Sequence, residues 1–265
     1  NIKPRSSGNI NLWRISLIIC IILTLFIEIS WGKSNMDINA RIDIGVPQNQ
    51  ADIGQLIKRG DRWFQKNQEK PFTGIMSERS KKTGKRILEC EYNQGLMNGR
   101  YQEWYDDGTI KYSGYYREGQ PEEEWSEWYQ NGQKSDEITY KNGQRHGVWT
   151  EWYETGEKLY EGTYSKGQEF GKHIKWYDSG QKAFEYRYLE GKKDGLWMEW
   201  YENGIKMYEN RYVKDQWSGL WIGWYMNGGK KYEIQHEGGQ QVYQYCWDEA
   251  GNDCDCNWFF EIGCQ

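Results

Sequence analysis

Apolar and polar residues alternate in short runs along most of the chain after residue 70, and turn residues separate the runs. In residues 147–164, an aromatic-rich run leads into Thr155-Gly156, and a second alternating run follows. A period of two is typical of a half-buried β-strand, and two such runs around a short turn indicate a β-hairpin. The pattern therefore predicts an all-β chain built from hairpins.

The hairpin pattern recurs every 24 residues without an insertion. The Trp-Tyr pairs that mark it are Trp104/Tyr105, Trp128/Tyr129, Trp152/Tyr153, Trp176/Tyr177, Trp200/Tyr201 and Trp224/Tyr225. A strict period of this length is the signature of a repeat array in which each unit contacts mainly its neighbours. We predict an elongated, single-layer solenoid of 24-residue β-hairpins.

The turn chemistry predicts the register of each hairpin. Several units carry Asn-Gly at the turn, the preferred pair for a two-residue type I′ turn, and a polar loop of about six residues follows each hairpin. The pairs predicted for one unit are Tyr153–Lys158, Glu151–Tyr160 and Trp149–Gly162 on one face, with Trp152–Leu159 on the other. We expect the face that carries Trp149, Tyr153, Tyr160 and Tyr164 to be the more buried one.

One apolar segment, residues 12–31, interrupts the polar pattern and is roughly long enough to cross a bilayer as a helix. Trp13 and Trp31 lie at its ends, as in an aromatic belt, and Arg14 adds positive charge on the N-terminal side. The positive-inside rule predicts a single-pass protein of the inner (cytoplasmic) membrane with a periplasmic or otherwise extracytoplasmic repeat domain. A cleavable signal peptide is the alternative, because the apolar run 15–27 is short.

These patterns divide the chain into six parts. They are a cytoplasmic N-terminus (1–11), a transmembrane anchor or uncleaved signal (12–32), an extended linker (33–54), an N-terminal capping hairpin (55–73), the hairpin repeats (74–242) and a Cys-rich C-terminal cap (243–265).

Composition and charge narrow the function classes. Aromatic residues make up 17% of the chain, so Trp and Tyr are expected to form the core in place of aliphatic residues. The formal net charge of −5 gives no positive electrostatic field that would attract the phosphates of a nucleic acid, so nucleic-acid binding is not expected. Glutamates such as Glu103 and Glu151 recur once per repeat, whereas acid–base catalysis needs a unique pair. We expect no enzymatic activity, cofactor, metal or small-molecule substrate.

Four cysteines crowd the last 20 residues: Cys246, Cys254, Cys256 and Cys264. Clustered cysteines in an exported chain indicate disulfides, and the favoured pairing is Cys246–Cys254 with Cys256–Cys264, which closes the final hairpin. A Cys₄ zinc site is the alternative. The remaining cysteine of the repeat region, Cys90, is predicted to be a buried thiol.

The repeated unit reads G-x-W-x-E-W-Y-x-N-G-x-K followed by E-x-x-Y-x-x-G, and it resembles the bacterial variant of the MORN repeat. The lead-in at 71–74 and the ending "CWDEAGNDC" at 246–254 are similar to exported, antitoxin-like proteins of that group. The resemblance covers about residues 56–256. It implies an interaction scaffold or an immunity protein against a secreted toxin.

Five residues depart from the repeat pattern: Glu123, His173, Lys175, Asp215 and Trp217. Glu123 and Asp215 replace glycines, and Trp217 is an extra aromatic residue. Positions that break the rule of a regular array often carry function, so these are candidate partner contacts, with sequence drift as the alternative.

The functional hypothesis is a non-enzymatic, membrane-anchored scaffold outside the cytoplasm that binds other membrane or envelope proteins, as an accessory subunit of a larger membrane complex. A cell-envelope carbohydrate-binding module is one alternative, because evenly spaced tryptophans can stack on sugar rings. An antitoxin-like binder of a secreted toxin is the other.

Overall fold

The computed structural model describes residues 49–256, which form twenty strands and, within this range, one 3-10 helix, Ile53–Gln55. The first ten strands are β1 (Gln50–Asp52), β2 (Leu56–Arg59), β3 (Arg62–Gln65), β4 (Gly74–Arg79), β5 (Arg86–Asn93), β6 (Leu96–Trp104), β7 (Ile110–Arg117), β8 (Gln120–Trp128), β9 (Lys134–Lys141) and β10 (Gln144–Trp152). The others are β11 (Lys158–Ser165), β12 (Gln168–Trp176), β13 (Lys182–Leu189), β14 (Lys192–Lys193), β15 (Gly195–Trp200), β16 (Lys206–Val213), β17 (Gln216–Trp217), β18 (Gly219–Trp224), β19 (Lys230–Glu237) and β20 (Gln240–Cys246).

Eighteen of these strands form one sheet. From β4 onward the strands pair antiparallel in chain order, and the short strands β14 and β17 continue the pairing beside β13 and β16. β1 is parallel to β4, so the sheet includes residues that the sequence assigned to the linker. β2 and β3 form a separate hairpin within the predicted capping segment. The predicted array of consecutive hairpins is confirmed.

The predicted anchor and its interface residues Trp13, Arg14 and Trp31 lie outside the described residues, as do the cytoplasmic N-terminus and most of the linker. Between residues 49 and 256, no helix is long and apolar enough to cross a membrane.

The turn after each Trp-Tyr pair differs from the predicted type I′ turn. Gly156 donates its N–H to the carbonyl of Tyr153 at 2.9 Å, and the Tyr153 N–H reaches the carbonyl of Glu157 at 2.8 Å. Among turn residues 153–157, only the glycine has positive φ (+89°). This is a type I turn closed by a glycine bulge, which adds one residue to the loop.

The bulge shifts the register at the end of the hairpin. Trp149–Gly162 and Glu151–Tyr160 pair as predicted, but Trp152 faces Lys158 and not Leu159. The predicted pairs Trp152–Leu159 and Tyr153–Lys158 are therefore wrong, because the extra turn residue displaces the pairing by one position on that side.

Type I′ turns occur at the opposite ends of the strands, where the sequence indicated longer loops. Lys166 (φ +51°) and Gly167 (φ +81°) form a two-residue connection between β11 and β12. Two-residue connections of the same kind occur at 94–95, 118–119, 142–143, 190–191, 214–215 and 238–239. Every strand connection from β5 onward is thus short, which keeps consecutive strands adjacent in the sheet.

The N-terminal end of the sheet has a small core of its own. It consists of Ala51, Leu56, Phe72, Met76, Cys90 and Tyr92. Cys90 is fully buried, and this burial raises its pKa to about 12, as predicted for a structural thiol. Leu56 brings the β2–β3 hairpin into this core, and the backbone N–H of Phe72 donates to the Trp63 carbonyl at 2.8 Å.

The C-terminal end carries a disulfide between Cys246 and Cys256, whose Cα atoms are 5.5 Å apart. The favoured pairing, Cys246–Cys254 with Cys256–Cys264, is therefore wrong in both bridges. Cys254 donates its backbone N–H to the Cys246 carbonyl at 3.0 Å, so the two residues are joined through the backbone while the Cys246 side chain meets Cys256. Cys254 is also disulfide-bonded, and Cys264, the remaining member of the predicted cluster, lies outside the described residues.

Candidate functional site

Aromatic side chains form a row along one face of the sheet, which we call the aromatic face. Trp149 packs on Tyr160 and Tyr164, with ring centroids 5.2 and 5.8 Å apart. The equivalent position is filled by Tyr101, Trp125, His173, Trp197 and Trp221 in the other units. Tyr164 is 5% exposed and Trp197 is 7% exposed, so the face predicted to be the more buried one supplies core residues. Edge-to-face ring pairs of this kind add to the stabilisation from burial.

His173 replaces a tryptophan on this face and keeps its hydrogen bond. Trp197 Nε1 donates to the Arg187 carbonyl at 3.0 Å, ten residues earlier in the chain. His173 Nε2 donates to the Thr163 carbonyl at the same separation and distance, while Nδ1 accepts from the Tyr160 hydroxyl. His173 is 3% exposed, and burial lowers its pKa. Both ring nitrogens are thus used inside the protein, which indicates a structural role.

The Trp-Tyr pairs hold neighbouring repeats together. The Tyr129 hydroxyl donates to the Trp152 carbonyl at 2.7 Å, and the same bond links every unit from Tyr105 to Tyr225 with the next. The turn asparagine Asn131 donates its amide to the Glu154 carbonyl in the next turn at 2.9 Å. Because these recurring polar groups are hydrogen-bonded between units, the repeat motif itself leaves few polar groups available to bind a ligand.

In several repeats, one lysine lies over a tryptophan ring of the following repeat. Lys158 Nζ lies 5.6 Å from the ring centroid of Trp176 in the following unit and 2.6 Å from Glu161 Oε2. Lys182, Lys206 and Lys230 occupy matching positions over Trp200, Trp224 and Trp247. A cation over the ring is attracted by the negative ring face, so one face of each of these tryptophans is already covered by a lysine of the protein.

The regular aromatic face is interrupted at Asp136. A 24-residue step aligns Asp136 with aromatic residues in the other units: Tyr112, Tyr160, Phe184, Tyr208 and Tyr232. A carboxylate fills much less volume than a phenol ring, and a cavity of about 330 Å³ opens beside it. The residues around this cavity, which we call the Asp136 pocket, are Tyr112, Tyr116, Pro121, Trp125, Ser126, Glu127, Asp136, Ile138 and Tyr140.

The Asp136 pocket is acidic as well as aromatic. Asp136 lies directly opposite Glu127 on one side and Glu151 on the other. Burial raises the pKa of Asp136, the Trp149 N–H (2.6 Å) opposes this rise, and the charge of Glu127 adds to it. Burial, and then the charge of Asp136, raises the pKa of Glu151. Like charges directly opposite on adjacent strands are unfavourable, so the pocket favours a cation.

A second cavity of about 240 Å³ adjoins the Asp136 pocket. It shares Glu127 and Asp136 and adds Glu151 together with Trp128 and Trp152. The two cavities therefore share two carboxylates, and a third, Glu151, lines the second cavity.

The five departures predicted as partner contacts are spread over several units and do not form one site. Glu123 has positive φ (+62°), where the matching glycines Gly99, Gly147, Gly171, Gly195 and Gly219 also have positive φ. Its carboxylate lies 4.0 Å from Arg117. Lys175 is exposed and pairs across the sheet with Tyr160 and Phe184.

Asp215 and Trp217 both have local structural partners. Asp215 occupies the type I′ turn with φ +70°, and its Oδ1 accepts the Lys193 N–H at 2.8 Å. Trp217 is 49% exposed and packs on Trp221 and His236, with centroids 5.2 and 5.1 Å away.

Asp136 is not part of the Trp, Tyr and Gly pattern that marks each turn, so that pattern predicted no site there. The signal was present in "EWYQNGQKSDE" at 127–137, where the sister stretches "EWYETGEKLYE" and "EWYENGIKMYE" carry tyrosine in place of Asp136. The loss of one ring from a regular aromatic row is visible in the sequence, but the resulting cavity is not.

Four segments of the chain match the family model described as MORN repeat variant: residues 97–118, 122–142, 145–166 and 193–214. The matches follow the 24-residue units. No curated protein matches the chain.

Proposed function

The chain carries MORN-variant repeats, and we propose that it is a non-enzymatic scaffold that binds other proteins through its hairpin array. The observation that supports this most directly is the interrupted aromatic face. In the regular repeats, the recurring polar groups bond to neighbouring repeats, so few of them are available to bind a ligand. At the Asp136 pocket the repeat pattern is broken, and an open cleft with charged side chains is left. Concave sites with aromatic walls and a few polar groups are typical binding sites.

The membrane part of the proposal rests on residues 12–31. Their length and their flanking Trp13 and Trp31 favour a single anchor with the repeats outside the cytoplasm. An anchored array can present its binding face to neighbouring membrane or envelope proteins, which is why we propose an accessory subunit of a larger complex.

The lysine-covered tryptophans disfavour the carbohydrate alternative. Sugar stacking needs an accessible ring face, and Lys158, Lys182 and Lys206 each lie over the ring of the following unit. The antitoxin-like alternative is also a protein-binding function, and the partner's identity distinguishes it from a complex subunit.

Mild detergent extraction of the full, tagged chain from its native cells, followed by native mass spectrometry, tests the proposal. We expect stoichiometric companion proteins. An unrelated single-pass protein with the same tag, processed in parallel, identifies background. Recovery of the chain as a lone monomer contradicts the scaffold, and a secreted toxin as sole companion favours the antitoxin-like function.

A further inference from the structure

The other repeats of this chain show what kind of group covers the ring pair that borders the Asp136 pocket. In the unit after the pocket, the Arg145 guanidinium lies 5.4 Å from the Trp149 centroid and 4.7 Å from that of Tyr164. Two units further on, Lys193 Nζ lies 4.1 Å from the Trp197 centroid and 4.9 Å from that of Tyr212. Both Trp/Tyr pairs therefore carry a basic side chain from their own unit.

The unit that contains the pocket has the same ring pair but a different residue in the covering position. Trp125 and Tyr140 have centroids 6.3 Å apart, and the position that matches Arg145 and Lys193 is Pro121. In the described part of the chain, no Lys or Arg lies over Trp125 or Tyr140. Three other units place Met97, Glu169 and Trp217 there, but their ring pairs are Tyr101/Tyr116, His173/Tyr188 and Trp221/His236. Among the described units with a Trp/Tyr pair, only the Pro121 unit lacks its own cation over the rings.

The space and the charge near Pro121 both suit a basic side chain. The proline ring leaves the cavity of about 330 Å³ open next to Trp125, and Glu127 and Asp136 line the same cavity. A cation is attracted to the faces of aromatic rings and to carboxylates, and it is attracted most strongly where water is excluded. It would also separate two carboxylates that face each other on adjacent strands.

We propose that the Asp136 pocket binds an arginine or lysine side chain of a partner protein, which takes the place that Arg145 and Lys193 take in the other units. This inference rests on the proposed scaffold function, since it names the group of the partner that the scaffold recognises. The ring pair supplies the walls, and Glu127 and Asp136 supply the charge.

Fluorescence anisotropy with dye-labelled peptides tests the pocket on the full chain. The peptides share the sequence Gly-Ser-X-Ser-Gly, where X is arginine, lysine, citrulline or norleucine. We expect the arginine and lysine peptides to bind at least tenfold more tightly than the citrulline and norleucine peptides, which match them in shape or length but lack the charge. Equal binding of arginine and citrulline, or no binding of any peptide, overturns the proposal.

Two variants locate the binding. Pro121→Arg supplies the cation from the chain itself, and Asp136→Tyr restores the ring that the sister units carry; each should reduce binding at least tenfold. Gln120→Arg is the matched control, because it adds the same charge at an exposed neighbouring position that does not line the cavity, and it should retain binding. If Asp136→Tyr does not fold, the comparison of Pro121→Arg with Gln120→Arg remains a test of the proposal, and undiminished binding by Pro121→Arg overturns it.

The failure of this inference can be told apart from that of the scaffold. If the chain binds the arginine peptide but no companion proteins are recovered with it, the result supports the proposed pocket and contradicts the proposed scaffold function. A chain that recovers companions but binds no basic peptide contradicts the pocket alone.

Discussion

The hydroxyl of Tyr153 donates a hydrogen bond to the backbone carbonyl of Trp176, 2.8 Å away in the next repeat. The tyrosine of one unit therefore contacts the backbone of the tryptophan in the following unit. This relationship explains why the two residues recur as an adjacent pair: each pair supplies one donor to the next unit and one carbonyl to the unit before it.

Replacing Tyr153 with phenylalanine should weaken this junction. Tyr153→Phe removes the donor and leaves the Trp176 carbonyl without it, so we expect a loss of about 1 kcal/mol in the free energy of unfolding, measured by urea denaturation. Tyr243→Phe is the control, because that ring lies exposed at the surface. Equal midpoints for the two variants would show that the bond contributes nothing to stability.

Replacing Glu123 with glycine should stabilise the protein. Glu123 has φ +62°, a conformation that is unfavourable for side chains with a Cβ and that glycine adopts freely. We expect a gain of roughly 0.5–1 kcal/mol, after the entropy that glycine adds to the unfolded chain. Glu124→Gly, one residue along the same strand, should instead destabilise by a similar amount. Destabilisation of both variants would mean that the Arg117 contact outweighs the backbone strain.

His173 should make the protein less stable in mild acid. Burial lowers the pKa of His173 in the folded state, whereas the unfolded side chain titrates near its ordinary value of about 6.5. Below that pH the unfolded chain binds the proton more readily than the folded one, so stability is full above about pH 6.5 and falls as the pH decreases.

The comparison of wild type with His173→Phe isolates this effect. The variant should be less stable at pH 7.5, because it loses the bonds to Thr163 and Tyr160, but its urea midpoint should fall less between pH 7.5 and 5. Burial also lowers the pKa of His236, which is present in both proteins and so cancels in the difference. Identical pH dependence in the two proteins would contradict the assignment to His173.

The disulfide pairing can be read from a digest without reduction. Cleavage before aspartate separates Cys254 from Cys256 at Asp255 and Cys246 from both at Asp248. We expect mass spectrometry to find the Cys246 peptide linked directly to the Cys256 peptide. A direct link from the Cys246 peptide to the dipeptide that contains Cys254 would instead restore the pairing favoured by sequence.

Removing this bond should affect the last hairpin most. The bridge closes a loop over a sequence separation of 10, and loop-closure entropy for such a length corresponds to about 3 kcal/mol. Cys246→Ser should therefore increase amide hydrogen exchange in β19 and β20, with β10 and β11 as the internal control. Unchanged exchange in β20 would mean that its strand pairing alone holds the end of the sheet.

The positions of the hairpin turns could be predicted from the sequence, but their backbone geometry could not. The Asn-Gly pairs correctly marked the hairpin turns, but Asn131 acts through its side chain, which accepts from the Gln133 N–H and donates to the next unit, and not through positive φ. The pairs with two positive φ values include Glu118-Gly119 and Lys166-Gly167, whose first residues carry no preference for that conformation. Tertiary pairing of the long strands imposes those turns.

The all-β class, the 24-residue unit and the pairing of Trp149 with Gly162 could be predicted from the amino-acid sequence, because a strict period and two-residue alternation are local properties of the chain. The one-residue shift at Trp152, the Cys246–Cys256 pairing and the Asp136 pocket became visible in the folded structure. Each of these depends on which atoms meet across strands. A missing ring becomes a cavity only when its neighbours Trp125 and Tyr140 are held in place around it.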